Sequence, residues 1–420
     1  MRVFGLIMAF VTTTTLLNPR NGPLHFLLWL PKLLASALSP LVVVASWLPI
    51  LVGRRRRDPL LVGLGISSTF LALRQLAAVT APREAILVEA FGADWEAKIP
   101  LVVRARFSRY RWRPIVWGGA VGRVERNVVY GVNPDAAAPL IADFLRPPEG
   151  VPPSGLAMIF VHGGAWRYGR RNIDKFPYFH QLAAQGHLIM DIDYTLNPKT
   201  SVPGMVMDVK RAILWLKEHA DEYGINPERI VLTGQSAGGH LSLLAAYTPN
   251  YLGLQPKDVN GRTMAGDTAV RAVISYYGPP DMVALFDDIE ARFGGVMSQR
   301  VNRRVNQLLE RIGEEGWDQG LSALLGGPLA DIPDMYRLIS PITYVDKDCP
   351  PTMLLHGTHD LLVNPFAVKR LYQALRLANV PVLYMPMPGC EHSFESVLPR
   401  LSPGAQTAAY YMERFLALVA

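Results

Sequence analysis

The hydrophobic and polar positions divide the chain into two parts. Residues 1–115 contain three long apolar segments, at 3–17, 33–52 and 60–79. Residues 116–420 instead alternate short apolar runs with segments whose apolar positions recur every three or four residues. Short apolar runs predict buried strands and the wider spacing predicts helices, so the second part is expected to be an α/β domain.

The apolar segments of the first part predict a helical membrane region. Residues 33–52 are long enough to cross a bilayer, and Pro40 and Pro49 are expected to kink the helix. Residues 3–17 are shorter than the roughly 20 residues that a span needs. Arg2 would suit the start of a signal peptide, but no small-residue cleavage motif follows, which favours an uncleaved span or interfacial segment. A helical hairpin packed on the second part is the alternative that needs no membrane.

Four consecutive arginines at 54–57 follow the second apolar segment directly. Short positively charged loops stay in the cytoplasm, which places this loop inside. If residues 60–79 then cross the bilayer, everything after them lies outside the cytoplasm, whereas an interfacial helix would keep the second part inside. We expect an integral membrane protein whose C-terminal domain is on the non-cytoplasmic side.

A second basic stretch joins the two parts. A mixture of arginines and aromatic residues suits the headgroup layer of a membrane, and it also suits a solvated linker. The chain carries a net charge of +7, yet no nucleic-acid motif accompanies its arginines, so a lipid bilayer and not nucleic acid is the expected partner. The stretch comprises Arg104, Arg106, Phe107, Arg109, Tyr110, Arg111, Trp112, Arg113 and Trp117.

The second part predicts a mostly parallel sheet with helices on both faces. Its first two strands are expected to be antiparallel. Residues 282–340 are too long for a simple connection and include a charged helical pattern at 303–312, which predicts a helical cap over the site. The predicted strands are 123–130, 138–145, 156–161, 187–192, 229–233, 270–276, 352–356 and 382–385, and 405–419 is a closing helix.

The motif G-x-S-x-G stands at 234–238, between a predicted strand and a predicted helix. A sharp turn in that position lifts the hydroxyl of Ser236 above the sheet, and the flanking glycines have no Cβ to clash with the neighbouring elements. Ser236 is therefore the candidate nucleophile. In a chain with 35 glycines a chance match is the alternative.

Two further residues complete a catalytic pattern. Asp360 lies four residues after the strand that ends at His356, and His392 lies after the last predicted strand. The chain order Ser236, Asp360, His392 is the order expected of an α/β-hydrolase triad. The alternatives are that Asp360 only caps the next helix and that His392 is a packed loop histidine.

These motifs resemble the α/β-hydrolase superfamily, and within it the esterases related to hormone-sensitive lipase. The resemblance covers about residues 123–420. The motifs HGGAW and GQSAGGH look especially like those of the membrane-bound isoprenylcysteine methylesterases, and more loosely like those of the kynurenine formamidases. Ala165 stands where many of these relatives have a further glycine. The motifs are HGGAW at 162–166, DY at 193–194, GQSAGGH at 234–240, HGTHD at 356–360 and EHSF at 391–394.

The resemblance implies a role for each motif. Ser236 would attack an acyl carbonyl, His392 would transfer the proton, and Asp360 would hold the imidazole in place. Backbone N–H groups would bind the oxyanion, and two aromatic side chains are candidates for a pocket wall. The oxyanion residues are Gly163, Gly164 and Ala237, and the pocket candidates are Trp166 and Tyr194.

The predicted function is a membrane-anchored carboxylesterase or lipase that acts on a small or lipid-like ester. An amidase or formamidase would use the same triad with a different leaving group, and a catalytically silent hydrolase fold serving as an interaction module is the third alternative. No metal or organic cofactor is expected, because the triad supplies both nucleophile and base. The sequence leaves the oligomeric state open.

Overall fold

The structure is a computed structural model that describes residues 1–18, 23–114, 121–293 and 324–420. Its strands form one sheet in the order β1-β2-β4-β3-β5-β6-β7-β8. β2 is antiparallel to both β1 and β4, and the remaining neighbours are parallel, which confirms the predicted sheet. The strands are β1 (Arg123–Asn133), β2 (Ala138–Arg146), β3 (Gly155–Val161), β4 (Leu188–Ile192), β5 (Ile225–Gln235), β6 (Ala272–Tyr276), β7 (Thr352–Gly357) and β8 (Val382–Met387).

Helices cover both faces of the sheet, so alternate residues of the central strands enter two separate cores. In β3, Ile159 packs in one core and Phe160 in the other. This double burial explains why the central strands appear in the sequence as continuous apolar runs. The helices of this part are α8 (Pro177–Ala184), α9 (Val202–Glu218), α10 (Ala220–Tyr223), α11 (Ala237–Tyr247), α12 (Met282–Phe293), α13 (Pro333–Leu338), α14 (Pro365–Leu377) and α15 (Pro403–Val419).

The predicted cap lies only partly within the described residues. α12 and α13 occupy its two ends, and a 3₁₀ turn at Pro341–Tyr344 follows α13. Residues 294–323, including the charged pattern at 303–312, lie outside the described residues, as does Trp117 of the basic stretch. The cap as a whole therefore stays a prediction.

The N-terminal part is helical, and the kink predicted near Pro40 is present as a sharp bend between two helices. The helical segments Leu28–Ala37 and Ser39–Arg56 meet at an angle of 84°. Pro40 has no N–H for the carbonyl of Ser36, and the Ser39 hydroxyl donates to that carbonyl instead at 3.2 Å. The helices are α1 (Arg2–Thr14), α2 (Pro23–Ala37), α3 (Ser39–Ala45), α4 (Trp47–Arg56), α5 (Pro59–Thr80), α6 (Glu84–Phe91) and α7 (Leu101–Arg104).

Small residues allow α1, α4 and α5 to pack closely together. A Cβ added to Gly65 on α5 would lie 2.5 Å from the Ile50 side chain, and one on Gly5 would lie 3.0 Å from Leu61. Large apolar side chains point outward instead, with Val44 71% exposed and Phe70 65% exposed. In the described part of the chain, the helical stretch Pro59–Phe91 is long and apolar enough to cross a membrane.

Part of the basic stretch packs against α15 and the end of α5. The sequence had predicted that this stretch would contact lipid headgroups or solvent. The Trp112 indole donates to the carbonyl of Leu401 at 3.0 Å, and the Arg111 guanidinium donates to the carbonyl of Thr80 at 2.8 Å. The Arg414 guanidinium on α15 lies over the Phe107 ring, 5.0 Å from its centre. These contacts join the N-terminal part to the α/β domain.

Candidate active site

Ser236 lies at the sharp turn between β5 and α11. Its backbone has φ 51° and ψ −119°, which strains any residue with a Cβ. The turn depends on its glycines, since a Cβ on Gly238 would lie 2.0 Å from the carbonyl oxygen of Val161. The Ser236 N–H donates to the carbonyl of Tyr276 on β6 at 2.9 Å. The half-buried hydroxyl is thus held at the carboxyl end of the sheet, where ligands bind in α/β folds.

The three predicted triad residues lie within hydrogen-bond distance of one another. His392 follows β8, and its Nε2 lies 3.0 Å from Ser236 Oγ. Its Nδ1 lies 2.9 Å from Oδ2 of Asp360, which follows β7. Residues that are 156 and 32 positions apart in the chain are therefore aligned as serine, imidazole and carboxylate.

Asp360 is buried, but both oxygens of its carboxylate face hydrogen-bond donors. Oδ1 accepts the N–H groups of Leu362 and Val363 at 2.8 and 2.9 Å, while His356 Nε2 lies 3.3 Å from Oδ2. Burial alone would raise the pKa of Asp360, but attraction to His392 and His356 and the hydrogen bonds from His392 and Val363 outweigh it. The pKa of Asp360 consequently lies below its usual value, and the residue is ionised when it faces His392.

The predicted oxyanion residues lie around Ser236. A Cβ on Gly163 would lie 3.3 Å from Ser236 Cβ, so this loop runs directly beside the serine. Gly164 has φ 134°, and a Cβ there would lie 1.9 Å from the carbonyl oxygen of Tyr168, which leaves room only for glycine. Ala237 is the first residue of α11, where helix geometry leaves the N–H without a partner inside the helix. Their oxyanion role stays a prediction.

The two predicted pocket residues are both buried and both brace the loop after β3. The Trp166 indole donates to His240 Nδ1 at 3.1 Å, and His240 Nε2 donates to the carbonyl of Ile339 at 2.7 Å. Burial lowers the pKa of His240 to about 4, which keeps the ring neutral and able to accept from the indole. Tyr194 stacks on His162 with 4.5 Å between ring centres. A role for Trp166 or Tyr194 in a substrate pocket stays a prediction.

Sequence reasoning missed Glu395, a buried carboxyl group behind the triad. It accepts hydrogen bonds from the Gln235 amide and the Tyr277 hydroxyl, and the Tyr277 ring lies 4.3 Å from the His392 ring. Glu395 therefore links the residue before the serine to the loop that carries the histidine. No local signal could have identified it, because its partners are 160 and 118 positions away in the chain.

The strain at Ser236 predicts a stability difference between two inactive variants. Ser236→Gly should be more stable than Ser236→Ala by about 1 kcal/mol, because glycine removes the Cβ that makes the backbone conformation unfavourable. Thermal unfolding of both variants in the same detergent would measure this difference. An equal or lower melting temperature for the glycine variant would contradict the assignment of strain.

Comparison with protein families places these residues in a known context. A family model described as BD-FAE matches residues 143–375. The match includes the turn at Ser236 and the loop at Asp360, and it ends before His392. Because it spans more than half of the chain, it assigns the family.

Curated relatives resemble the same part of the chain. The "Probable carboxylic ester hydrolase LipM" of Mycobacterium tuberculosis is 34% identical over 260 residues, covering 62% of this chain and 53% of that protein. "Esterase LipC" of the same organism is 31% identical, covering 69% of this chain and 64% of the relative. The "Probable isoprenylcysteine alpha-carbonyl methylesterase ICMEL2" of Arabidopsis thaliana is 25% identical, covering 64% and 57%. This chain thus spans between about half and two thirds of these relatives' lengths.

Among solved structures, a "truncated form of carbohydrate esterase from gut microbiota" matches with a TM-score of 0.54 and 22% identity. The match covers 71% of this chain and 99% of that one. At this identity the likeness establishes the fold, and it agrees with the α/β-hydrolase architecture that the sequence motifs predict.

Proposed function

We propose, because the chain belongs to the BD-FAE family of α/β-hydrolases, that it is a carboxylic ester hydrolase with Ser236, His392 and Asp360 as its triad. The observation that carries the proposal is the continuous hydrogen-bonded line from Ser236 Oγ through His392 to Asp360, at 3.0 and 2.9 Å. The names of the relatives LipM and LipC, a carboxylic ester hydrolase and an esterase, support the same reaction class.

The proposed reaction follows from this arrangement. Ser236 Oγ attacks the carbonyl carbon of the ester while His392 Nε2 takes the hydroxyl proton, and Asp360 stabilises the resulting imidazolium. The N–H groups of Gly163, Gly164 and Ala237 bind the oxyanion of the tetrahedral intermediate. That intermediate expels the alcohol, which takes the proton from His392. Water, activated by His392, then releases the acyl group from Ser236.

The choice between ester and amide is tested by a matched pair of substrates. We expect p-nitrophenyl butyrate to be turned over faster than butyryl p-nitroanilide, because an amide is the less reactive acyl donor and the relatives' names support ester hydrolysis. An amide rate equal to the ester rate would favour the amidase alternative. Extending the ester series to longer acyl chains then measures whether the pocket admits lipid-like substrates.

Membrane anchoring is part of the proposal. The distribution of residues in the N-terminal helices supports it, since small residues such as Gly5 and Gly65 form the helix contacts and large apolar ones face outward. Val3 on α1 is 69% exposed and Phe70 on α5 is 65% exposed, and a surface of this kind needs lipid or another apolar partner. The stretch Pro59–Phe91 has the length for a full span.

We further propose that the catalytic domain lies on the non-cytoplasmic side. Arg2 forms an ion pair with Asp58 at one end of the N-terminal helices, next to the arginines at 54–57. Gln75, far along α5 from Asp58, contacts Pro388 of the catalytic domain. The short loop of four arginines therefore lies at the end away from the catalytic domain, and the preference of such loops for the cytoplasm supports this orientation.

Protease treatment of sealed cells tests the orientation. External protease should digest the catalytic domain while a soluble cytoplasmic marker in the same cells remains intact. Protection of the domain until the cells are opened would place it inside, and α5 would then be an interfacial helix.

A further inference from the structure

The N-terminal helices contact the loops that carry two of the triad residues. Lys32 on α2 forms an ion pair with Glu391, the residue immediately before His392. Both side chains are fully buried. Ser36, one helical turn further along α2, faces Cys390 in the same loop. A helix from the first 40 residues of the chain therefore packs directly behind the histidine loop.

Glu391 also reaches the loop that carries the carboxylate of the triad. Its Oε2 accepts the N–H of Leu361 at 3.0 Å, and Leu361 is the neighbour of Asp360. One carboxylate thus joins α2, the Asp360 loop and the His392 loop. The His392–Asp360 hydrogen bond of 2.9 Å depends on how these two loops are placed relative to each other.

Two more contacts from the N-terminal part reach the same pair of loops. The Gln75 amide on α5 donates to the carbonyl of Pro388 at 2.7 Å, and Asn18 donates to the carbonyl of Thr358 at 3.4 Å. The Thr358 hydroxyl in turn accepts the N–H of Gly389 at 2.9 Å. Both loops are therefore held on the side of the N-terminal helices by polar contacts, which are directional and fix position more narrowly than apolar packing.

A buried ion pair is an expensive way to stabilise this contact. Burial raises the pKa of Glu391 to about 7 even though Lys32 attracts its charge. The loss of water around the carboxylate therefore outweighs the attraction to the lysine. Apolar residues of similar size would often stabilise such a contact as well or better. The pair is better explained by the geometry that it imposes on the two loops.

We propose that Lys32 and Glu391 are positioning residues for the triad, which makes the N-terminal helices part of the catalytic apparatus as well as an anchor. The inference rests on the proposed ester hydrolase function. Lys32 holds Glu391, Glu391 holds the backbone at Leu361, and together they set the separation of His392 from Asp360. Without the pair the imidazole is still present but is misplaced for proton transfer.

The test uses the full-length chain in detergent, with Lys32→Met and Glu391→Gln compared with the unaltered protein. Both variants should lower kcat for p-nitrophenyl butyrate by about 10- to 100-fold, the size expected for a small misplacement of a catalytic group. KM should change little, because neither residue touches the substrate in the proposed mechanism. Fluorophosphonate labelling of Ser236 should slow in parallel, and the double variant should lose no more than the worse single variant, because the two residues act as one unit.

A matched control is the ion pair between Arg2 and Asp58, at the end of the N-terminal helices away from the catalytic domain. Arg2→Met and Asp58→Asn remove an ion pair of the same N-terminal helices whose arginine is 68% exposed, and both should leave kcat unchanged. Gln75→Leu serves as a second test that leaves the buried charges in place, and it should lower kcat to a smaller extent. Thermal unfolding of every variant measures stability separately from activity.

The outcomes separate this inference from the proposed function. A variant at Lys32 or Glu391 that unfolds at a lower temperature but keeps its kcat and labelling rate would show a purely structural pair and overturn the inference. An equal loss of kcat in the Arg2 and Asp58 variants would do the same. An unaltered protein that neither hydrolyses esters nor reacts with fluorophosphonate would overturn the proposed function, and this inference with it.

Discussion

Replacing Ser236 by alanine is expected to lower kcat for a short p-nitrophenyl ester by on the order of 10⁵- to 10⁶-fold, which is the scale of losing a serine nucleophile. The hydroxyl oxygen is the atom that forms the acyl-enzyme, and no other group of the site replaces it. Alanine keeps the Cβ and its backbone restrictions, so the turn and the fold should be retained. Steady-state hydrolysis and fluorophosphonate labelling measure the loss, and near-normal thermal unfolding establishes that the protein is intact.

Ser242→Ala is the matched control for this experiment. Ser242 lies on α11, the helix that follows Ser236; it is buried, and its hydroxyl makes no hydrogen bond to the described residues. Its removal should leave both hydrolysis and labelling unchanged. Activity that persists in Ser236→Ala, or that is lost equally in Ser242→Ala, would contradict the assignment of Ser236 as nucleophile.

Replacing Asp360 by asparagine is expected to lower kcat by about 10⁴-fold, as loss of the triad carboxylate does in other serine hydrolases. The asparagine amide would donate to His392 Nδ1, which forces the ring proton onto Nε2. That nitrogen then cannot accept the proton of Ser236, 3.0 Å away. The asparagine carbonyl can still accept the N–H groups of Leu362 and Val363, so the loop should remain folded.

Hydrolysis rates and the fluorophosphonate labelling rate of the same preparation measure this effect. Asp334→Asn is the control, because that carboxylate is 94% exposed and pairs with Arg337 on the surface. We expect it to behave as the unaltered protein. If Asp360→Asn retained full activity, Asp360 would be a helix-capping residue and another acceptor would have to hold His392.

The sequence motifs were sufficient to place the site within the fold. Short apolar runs located the strands because β3 to β7 are buried on both faces, and a residue following the carboxyl end of such a strand necessarily lies at one edge of the sheet. Ser236, Asp360 and His392 each follow a strand in this way, so their meeting was predictable. Their chemical roles, the oxyanion residues and the division of the chain near residue 115 remain predictions.

Long-range contacts were not predictable in the same way. The sequence predicted a kink at Pro40 within 33–52, but not that the chain would turn there by as much as 84°. It suggested lipid or solvent around the basic stretch, whereas Trp112 and Arg111 bind backbone carbonyls of the folded chain. The sequence shows the conformational preference of a proline and the charge of an arginine. Which residues each of them contacts depends on what the fold brings next to it.

The sequence by itself determined the strands of this protein, their alternation with helices, and the end of the sheet at which its reactive groups lie. These features follow from hydrophobic periodicity and turn residues, which act over a few neighbouring positions. Only the tertiary structure decided which distant groups meet. The pairs Gln235 with Glu395 and Lys32 with Glu391 are separated by long stretches of chain, and their contacts arise from packing of whole helices and strands. Such contacts leave no periodic trace in the sequence, because one charged residue in an apolar segment is compatible with many partners.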